Sequence, residues 1–322
     1  MSAPQATTPP VAAVESWQRE AVDRWQRWLA QNRLPHAVML TGPVGVGKRR
    51  LAQALAAQAL CQEPVDGQAC GHCRACELLA AGTHPDTVFT RPEQGSAQIR
   101  VDQIRTLIHA LTLTPRLGSR RVALIQPADA MNENAANALL KTLEEPGAAI
   151  LLLLVTAQPQ RLPATVRSRC QILPVALPAT ETARAWLRDH APDAAEGDRD
   201  LALALAADAP CRALELLVDG VPAVGREVRD RLAALAAGEV GVSEFGSQWG
   251  DAEDPGLYWQ LLAFWCHQAA SGSIHAAGLP EMPLAALIRL HERALRGLAD
   301  ADSGLRQDLQ FQEWLLEWRS HA

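Results

Sequence analysis

The chain has 322 residues and a mass of 34.7 kDa, with 30 Lys+Arg against 36 Asp+Glu, giving a net charge of −6. This length suits two or three domains, and the acidic balance argues against binding of DNA through bulk positive charge. The longest apolar run, residues 148–155, has eight residues, too few to span a bilayer. Because the N-terminal sequence also lacks a secretory signal, we expect a soluble, helix-rich, cytoplasmic protein.

Strand and helix signals alternate through the first half of the chain. The Pro/Ala/Thr-rich residues 1–16 are expected to form a flexible leader. Helical spacing or composition then predicts helices at 17–32, 49–60, 101–111 and 132–145. Short apolar runs predict buried strands at 36–41, 87–90, 121–126, 150–156 and 170–173. This alternation is typical of an α/β domain with a parallel sheet.

Strand signals stop after Pro174. Residues 180–190, 200–207 and 211–218 are predicted to be short helices, and everything from Pro222 onward has a helical pattern. We therefore predict an α/β domain over 17–174, a small helical domain over 175–220 and an all-α domain over 221–322. The last domain is predicted to mediate assembly, because it has more large apolar residues than an exposed helix needs; an ordinary helical core is the alternative, and the two are compatible. These residues include Leu257, Tyr258, Leu261, Leu262, Phe264, Trp265, Phe311, Trp314, Leu315 and Trp318.

A glycine-rich segment follows the first strand and opens a helix. Gly42, Gly45, Gly47 and Lys48 have the spacing of a phosphate-binding loop, in which backbone N–H groups surround the phosphates and the lysine reaches the terminal ones. The next residue in such loops is Ser or Thr, whose hydroxyl binds Mg²⁺, but here it is Arg49. The loop therefore either binds nucleotide without its metal ligand or is a retained turn that binds nothing.

The strand at 121–126 provides a second test of ATPase chemistry. Its end should carry a carboxylate pair for Mg²⁺ and for water activation, yet the sequence continues Gln126-Pro127, and Asp129 comes three residues too late. Phosphoryl transfer depends on the positioned metal. We therefore expect the scaffold of an ATPase without hydrolytic activity.

Four of the seven cysteines lie close together, at Cys61, Cys70, Cys73 and Cys76. Four thiolates in a reducing compartment are typical of structural, tetrahedral Zn²⁺, with no open position for a catalytic water. A set of core cysteines without metal and an iron–sulfur cluster are the alternatives.

Two further segments carry charged residues. The helix at 132–145 places Lys141 opposite its apolar face, where it is expected to be solvated. Arg167 and Arg169 precede the last strand; they are either ordinary surface charge or, for one of them, a cation that reaches a neighbouring subunit's phosphate. His84 and Asp86 are expected in a turn, with Asp86 accepting backbone N–H groups.

Taken together, these motifs resemble the clamp-loader members of the AAA+ family. The resemblance rests on LPHAVMLTGPVGVGK (34–48), CQEPVDGQACGHCRAC (61–76), AGTHPD (81–86), NALLKTLEEP (137–146) and RSRC (167–170). It implies an AAA+ module made of an α/β domain and a helical lid, followed by a helical collar domain that joins a hetero-pentamer. The implied partners are gamma/tau motor subunits, a delta subunit and, through the complex, a sliding clamp and primer-template DNA.

The resemblance also implies roles for single residues. Arg169 matches the arginine finger of the family's SRC motif and would act in trans, and Thr156 falls at the first sensor position. The lid position that usually holds arginine is Cys211, with Arg212 one residue further on. These departures point to a non-hydrolysing clamp-loader subunit of the DNA polymerase III holoenzyme, with structural Zn²⁺ as its cofactor. The alternatives are an active motor subunit of the gamma/tau type and a zinc-dependent protein that binds DNA alone, which the acidic charge opposes.

Overall fold

The computed structural model describes residues 14–301, 303 and 305–322. Most of the predicted leader, residues 1–13, lies outside this part of the chain. The described residues form two compact units. The first contains the chain up to Ala183 together with Asp208–Arg212, and the second contains Arg184–Ala207 and Ala213–Ala322. The domain limits expected from the sequence at 174 and 220 stay predictions.

The first unit contains a five-stranded parallel sheet with the spatial order β2-β3-β4-β1-β5. Its strands are β1 (Ala37–Thr41), β2 (Thr87–Thr90), β3 (Arg121–Ile125), β4 (Ile150–Thr156) and β5 (Gln171–Pro174). The register places Ala37 opposite Leu152 and Thr41 opposite Thr156. Because β1, β3 and β4 are buried almost throughout, their sequences are unbroken apolar runs. The predicted parallel sheet is confirmed.

One helix precedes β1, and the others occupy the connections between the strands. In chain order the helices are α1 (Arg19–Ala30), α2 (Lys48–Leu60), α3 (Arg74–Ala80), α4 (Val101–Thr112), α5 (Glu133–Glu144) and α6 (Ala164–Arg167). The helix α5 begins after Asn132, whose side-chain oxygen accepts the Ala135 N–H as an N-cap, and it ends just before Pro146-Gly147. Its buried residues Leu139 and Leu143 belong to the same core as Leu152 of β4. This packing fixes α5 against the central strands.

A buried ion pair joins the starts of β2 and β3. The Asp86 carboxylate lies 3.6 Å from the Arg121 guanidinium and accepts the N–H groups of Arg116 and Leu117 at 2.7 and 2.8 Å. Burial raises the pKa of the Asp86 carboxyl, but the backbone N–H groups and Arg121 outweigh it and hold that pKa below 3.8. The expected acceptor role of Asp86 is confirmed, although its partners lie in the loop before β3.

The chain after β5 is helical. The helices are α7 (Thr180–His190), α8 (Glu196–Leu205), α9 (Pro210–Val218), α10 (Val221–Ala236), α11 (Val242–Gly250), α12 (Pro255–Ala270), α13 (Leu284–Ala299) and α14 (Gln307–His321). Within the described part of the chain, none of the helices has both the length and the apolar character needed to cross a membrane.

The second unit has a core rich in aromatic rings. Trp265 and Trp318 are fully buried, and their indole N–H groups donate to the backbone oxygens of Gly225 and Leu232. The large apolar residues noted near the C-terminus are buried in the same cluster, namely Leu261, Leu262, Phe311, Trp314 and Leu315. These side chains therefore form the core of the second unit, and the assembly role of this part of the chain stays a prediction.

Candidate functional site

The glycine-rich loop connects β1 to α2, as the sequence predicts. Gly45 and Gly47 have φ angles of +80° and +81°, a left-handed conformation that glycine adopts without strain. A Cβ atom at Gly45 would lie 2.3 Å from the Cβ of Arg212, and one at Gly47 would lie 2.7 Å from Nε2 of Gln18. The loop therefore needs glycine both for its backbone conformation and for close packing.

Lys48 lies at the N-terminus of α2 and is 7% exposed. Its Nζ donates to the backbone oxygens of Gly42, at 2.7 Å, and Pro43, at 2.5 Å. Burial lowers the pKa of Lys48 to about 8, and the negative charge of Asp129 opposes that lowering. The lysine thus closes the loop on itself, and its ammonium group is bound by the first two residues of the loop.

Three other residues bind two further carbonyl groups of the loop. The Val46 oxygen accepts the indole N–H of Trp17 at 3.1 Å and the Gln18 amide at 3.0 Å. The Gly45 oxygen accepts the Cys211 N–H at 2.9 Å. Cys211, which the resemblance assigned to the lid position that usually holds arginine, therefore contacts the loop directly.

The positions where an ATPase of this fold holds Mg²⁺ carry no metal ligand. Arg49, Gln126 and Pro127 line one cavity of about 520 Å³, together with the described residues Gln53, Leu79, Gly82, Phe89, Thr90, Arg91, Pro92 and Leu124. No carboxylate is among these residues, and a guanidinium group repels a divalent cation. The loop has the predicted form, and Arg49, Gln126 and Pro127 stand where the hydroxyl and the carboxylate pair were expected; the absence of hydrolysis stays a prediction.

Asp129 has a role that the sequence analysis missed. The short 3₁₀ turn Ala128–Ala130 brings its carboxylate to the Thr156 hydroxyl, which donates a hydrogen bond to it. Thr156 also accepts the Gln158 N–H at 3.0 Å. The candidate sensor residue is thus held by a carboxylate of its own chain and by the turn that follows β4. Only the 3₁₀ turn brings Asp129 to this place, and no spacing rule in the sequence signals it.

The four clustered cysteines converge between α2 and α3. Their sulfur atoms all lie within 4.8 Å of one another, with Cys61 Sγ 3.6 Å from Cys70 Sγ and 3.9 Å from Cys73 Sγ. A tetrahedral ion with Zn–S bonds of 2.3 Å requires sulfur atoms roughly 3.8 Å apart. The N–H groups of Cys70 and Cys73 donate to the sulfurs of Cys61 and Cys70, each at 3.3 Å. This cluster can hold one metal ion.

The protonation of these thiols is uneven. Burial raises the pKa of Cys61 and Cys76. It also acts on Cys73, but hydrogen bonds from the backbone of Cys76 and Gln62 outweigh it and lower the pKa of Cys73 to about 6. Within this cluster the backbone hydrogen bonds favour the thiolate form of Cys73, the form in which cysteine binds a metal ion.

Arg169 follows α6 and precedes β5. Its Nη2 atom lies 2.8 Å from Oε1 of Glu144, the last residue of α5, and its Nη1 donates to the Thr165 oxygen at 2.9 Å. The side chains of Arg169 and Glu144 are 36% and 49% exposed, so the guanidinium is at the surface of the first unit. Arg167 is different, because its Nε atom is buried without a partner among the described residues.

The five-stranded parallel sheet and the glycine-rich loop between β1 and α2 define the class: a protein with the AAA+ fold. The fold comparison agrees, because a gamma subunit-related protein of DNA polymerase III from Thermotoga maritima superposes with a TM-score of 0.50 at 16% identity. That superposition covers 94% of this chain and 99% of the other.

Sequence comparison identifies the family. The model of the family described as "DNA polymerase III, delta subunit" matches residues 17–178. The DNA polymerase III subunit delta' of Pseudomonas aeruginosa is 37% identical over 316 residues, covering 96% of this chain and 91% of that protein. The subunit delta' of Escherichia coli is 40% identical over 175 residues, covering 51% of this chain and 52% of that protein. The chain belongs to this DNA polymerase III delta' family.

Proposed function

We propose that this chain is a clamp-loader subunit of a bacterial DNA polymerase III that hydrolyses no ATP itself and completes the ATP site of a neighbouring subunit with Arg169. The similarity to subunits named delta' along almost the whole chain supports this assignment over a motor subunit of the gamma/tau type. In the cell the chain would act in the cytoplasm, within a complex of AAA+ subunits that loads a sliding clamp onto primer-template DNA.

The replaced metal ligands support the absence of hydrolysis in cis. ATP hydrolysis at a phosphate loop uses Mg²⁺ to neutralise charge, and in ATPases of this fold a carboxylate pair at the end of the strand serves the metal and the attacking water. Arg49 occupies the position of the metal-binding hydroxyl, and Gln126-Pro127 occupies that of the carboxylates. Gly42, Gly45, Gly47 and Lys48 keep the form of the loop, and its role in this proposal is to hold the start of α2.

The observation that carries the proposal is the surface position of Arg169. An arginine finger acts from outside the nucleotide-binding subunit, so it must be exposed and near the end of a structural element that can face a neighbour. Arg169 meets both conditions, since it is one third exposed and lies between α6 and β5. Its planar guanidinium donates two parallel N–H groups to phosphate oxygens and offsets the charge that develops as the bond breaks.

The test compares Arg169→Ala with Arg161→Ala in the complex reconstituted with the partner subunits. Arg161 is an exposed arginine at the end of the 3₁₀ turn before α6, so its removal controls for loss of surface charge. Arg169→Ala is expected to fold, bind metal and assemble normally but to lower clamp-dependent ATPase activity. The affected site should lose on the order of 10³-fold, seen as a partial loss in the whole complex. Unchanged hydrolysis and clamp loading would refute the trans-acting role.

The cysteine cluster is proposed to hold one structural Zn²⁺ through Cys61, Cys70, Cys73 and Cys76. Four sulfurs at tetrahedral spacing leave no open position, so the ion would contribute to folding and not to a reaction. It would join the C-terminal end of α2 to the start of α3.

The helical residues 221–322 are proposed to form the collar that joins the complex. Since the large aromatic residues are in the core, the contact surface must come from other side chains. The helix α13 has three exposed apolar residues. They are Leu284, Ile288 and Leu295, with 59%, 49% and 47% of their surface exposed. A helix face of this kind is a suitable contact between subunits.

A further inference from the structure

Glu144 and Arg169 form an ion pair that joins two sequence motifs and that neither motif predicts by itself. Glu144 ends the LLKTLE segment of α5 and Arg169 lies in the SRC segment, 25 positions later. In the isolated chain the guanidinium is not free: its Nη2 is bound by Glu144 and its Nη1 by the Thr165 oxygen, with the Ser168 hydroxyl at 3.4 Å from the same Nη1. Both terminal nitrogens of the fork therefore already have acceptors within the chain.

The carboxylate of Glu144 does not stabilise the helix to which it belongs. Carboxylates are unfavourable near a helix C-terminus because the helix dipole is negative there. Glu144 and Glu145 lie at and just after the end of α5, next to each other. The Arg169 cation compensates the first of them, and no ion pair of Glu145 occurs among the described residues. Lys141 lies in the same last turn of α5, but the ion pair that Glu144 forms among the described residues is with Arg169, which connects this carboxylate with the candidate finger.

A phosphate group and Glu144 compete for the same cation. A bidentate contact between arginine and phosphate uses two neighbouring N–H groups of the fork. If Glu144 kept its place 2.8 Å from Nη2, its negative charge would stand beside the incoming phosphate and repel it. Because the pair is between one third and one half exposed, it is weak enough to be exchanged.

We propose that Glu144 is a positioning residue that holds Arg169 against α5 in the free subunit and yields it to the terminal phosphates of a nucleoside triphosphate bound by the neighbouring subunit. This inference rests on the trans-acting role of Arg169 proposed above. Glu144 thereby sets the nucleotide concentration at which the neighbouring site binds Arg169. It does not touch the reacting atoms, and the rate once the arginine has docked does not depend on it.

The experiment uses the full chain in the reconstituted complex, with ATP as the probe. Glu144→Gln keeps the shape and a hydrogen-bond acceptor but removes the competing charge. An exposed ion pair changes an equilibrium constant by a factor of about two to five. We therefore expect the ATP concentration for half-maximal hydrolysis at the affected site to fall about two- to fivefold, with the maximal rate unchanged. Glu145→Gln makes the same charge change one residue away and is expected to leave both quantities unchanged.

A double variant separates a direct effect from a general one. In the Arg169→Ala background, Glu144→Gln is expected to have no effect, since there is no guanidinium left to release. The thermal unfolding temperature of each single variant is measured on the isolated chain, and an unchanged value excludes a folding effect. A Glu144→Gln complex with unchanged or increased ATP requirement, or one whose effect persists without Arg169, would overturn the inference. If Arg169→Ala alone leaves hydrolysis intact, the proposed function itself fails, which is a separate outcome.

Discussion

The pKa of Lys48 is lowered by the burial of its ammonium group, and this shift can be measured directly. The chain contains two lysines, Lys48 and Lys141, and only Lys141 is exposed. With ¹³C-labelled lysine the protein therefore gives two ε-methylene signals in an NMR spectrum. We expect the signal assigned to Lys48, by its loss in Lys48→Met, to titrate with a pKa of about 8 instead of the ordinary 10.5.

The same pKa predicts how stability depends on pH. The folded state releases the Lys48 proton at about pH 8, whereas the unfolded chain keeps it to about 10.5. Between these values the unfolded state binds more protons, so the free energy of unfolding rises with pH. The gap between the two pKa values corresponds to roughly 3 kcal/mol over the full range.

The assay is urea denaturation at several pH values from 7 to 10. The difference in the free energy of unfolding between the unmodified chain and Lys48→Met should grow by about 2 to 3 kcal/mol over this range. Near pH 7 the two should be similar, since Lys48→Met relieves a buried charge but leaves the Gly42 and Pro43 oxygens without their donor. Lys141→Met is the control and should show a difference independent of pH. A Lys48 signal that titrates at 10.5, or parallel stability curves, would refute the reasoning.

Two further predictions concern the first unit. Asp86→Ala leaves Arg121 buried without its partner and should lower the free energy of unfolding by about 3–5 kcal/mol, whereas Asp102→Ala, which breaks an exposed pair, should cost less than about 1 kcal/mol. Because the pKa of Asp86 is held below 3.8, its contribution is present above that pH and is lost as the pH falls through the lowered value, which acid titration of both variants will show. Elemental analysis should find one equivalent of zinc, lost in Cys76→Ser and kept in Cys266→Ala; less than about half an equivalent in the unmodified chain would contradict the zinc site.

The strands β1, β3 and β4 could be predicted from the sequence because they are buried on both faces and therefore form unbroken apolar runs, whereas β2 and β5 are partly exposed and were predicted from shorter signals. The strands β2 and β4 and the helix α7 have the predicted limits, 87–90, 150–156 and 180–190. Such elements are bounded by polar, Gly or Pro residues, so that local signals determine where they begin and end. The helix α3, at Arg74–Ala80, was missed because its residues were interpreted only as part of a metal-binding segment.

Contacts across long sequence distances could not be predicted in this way. Asp129 reaches Thr156 through a 3₁₀ turn, and Glu144 reaches Arg169 across the packing of α5 against α6. The aromatic residues of the second unit show a different reason why the sequence did not predict the structure. A helical pattern rich in tryptophan looks the same whether its apolar face meets its own core or another subunit, and only the three-dimensional packing distinguishes the two.

The unequal exposure of the two lysines has a practical consequence. Of the two lysines, an amine-directed dye applied to the folded chain reaches Lys141, because Lys48 is 7% exposed and bonded to two carbonyl groups. Lys141 lies on α5, three residues before Glu144. A fluorophore on Lys141, attached without any mutation, would stand three residues from Glu144 and would report, in real time, the exchange of Arg169 proposed above.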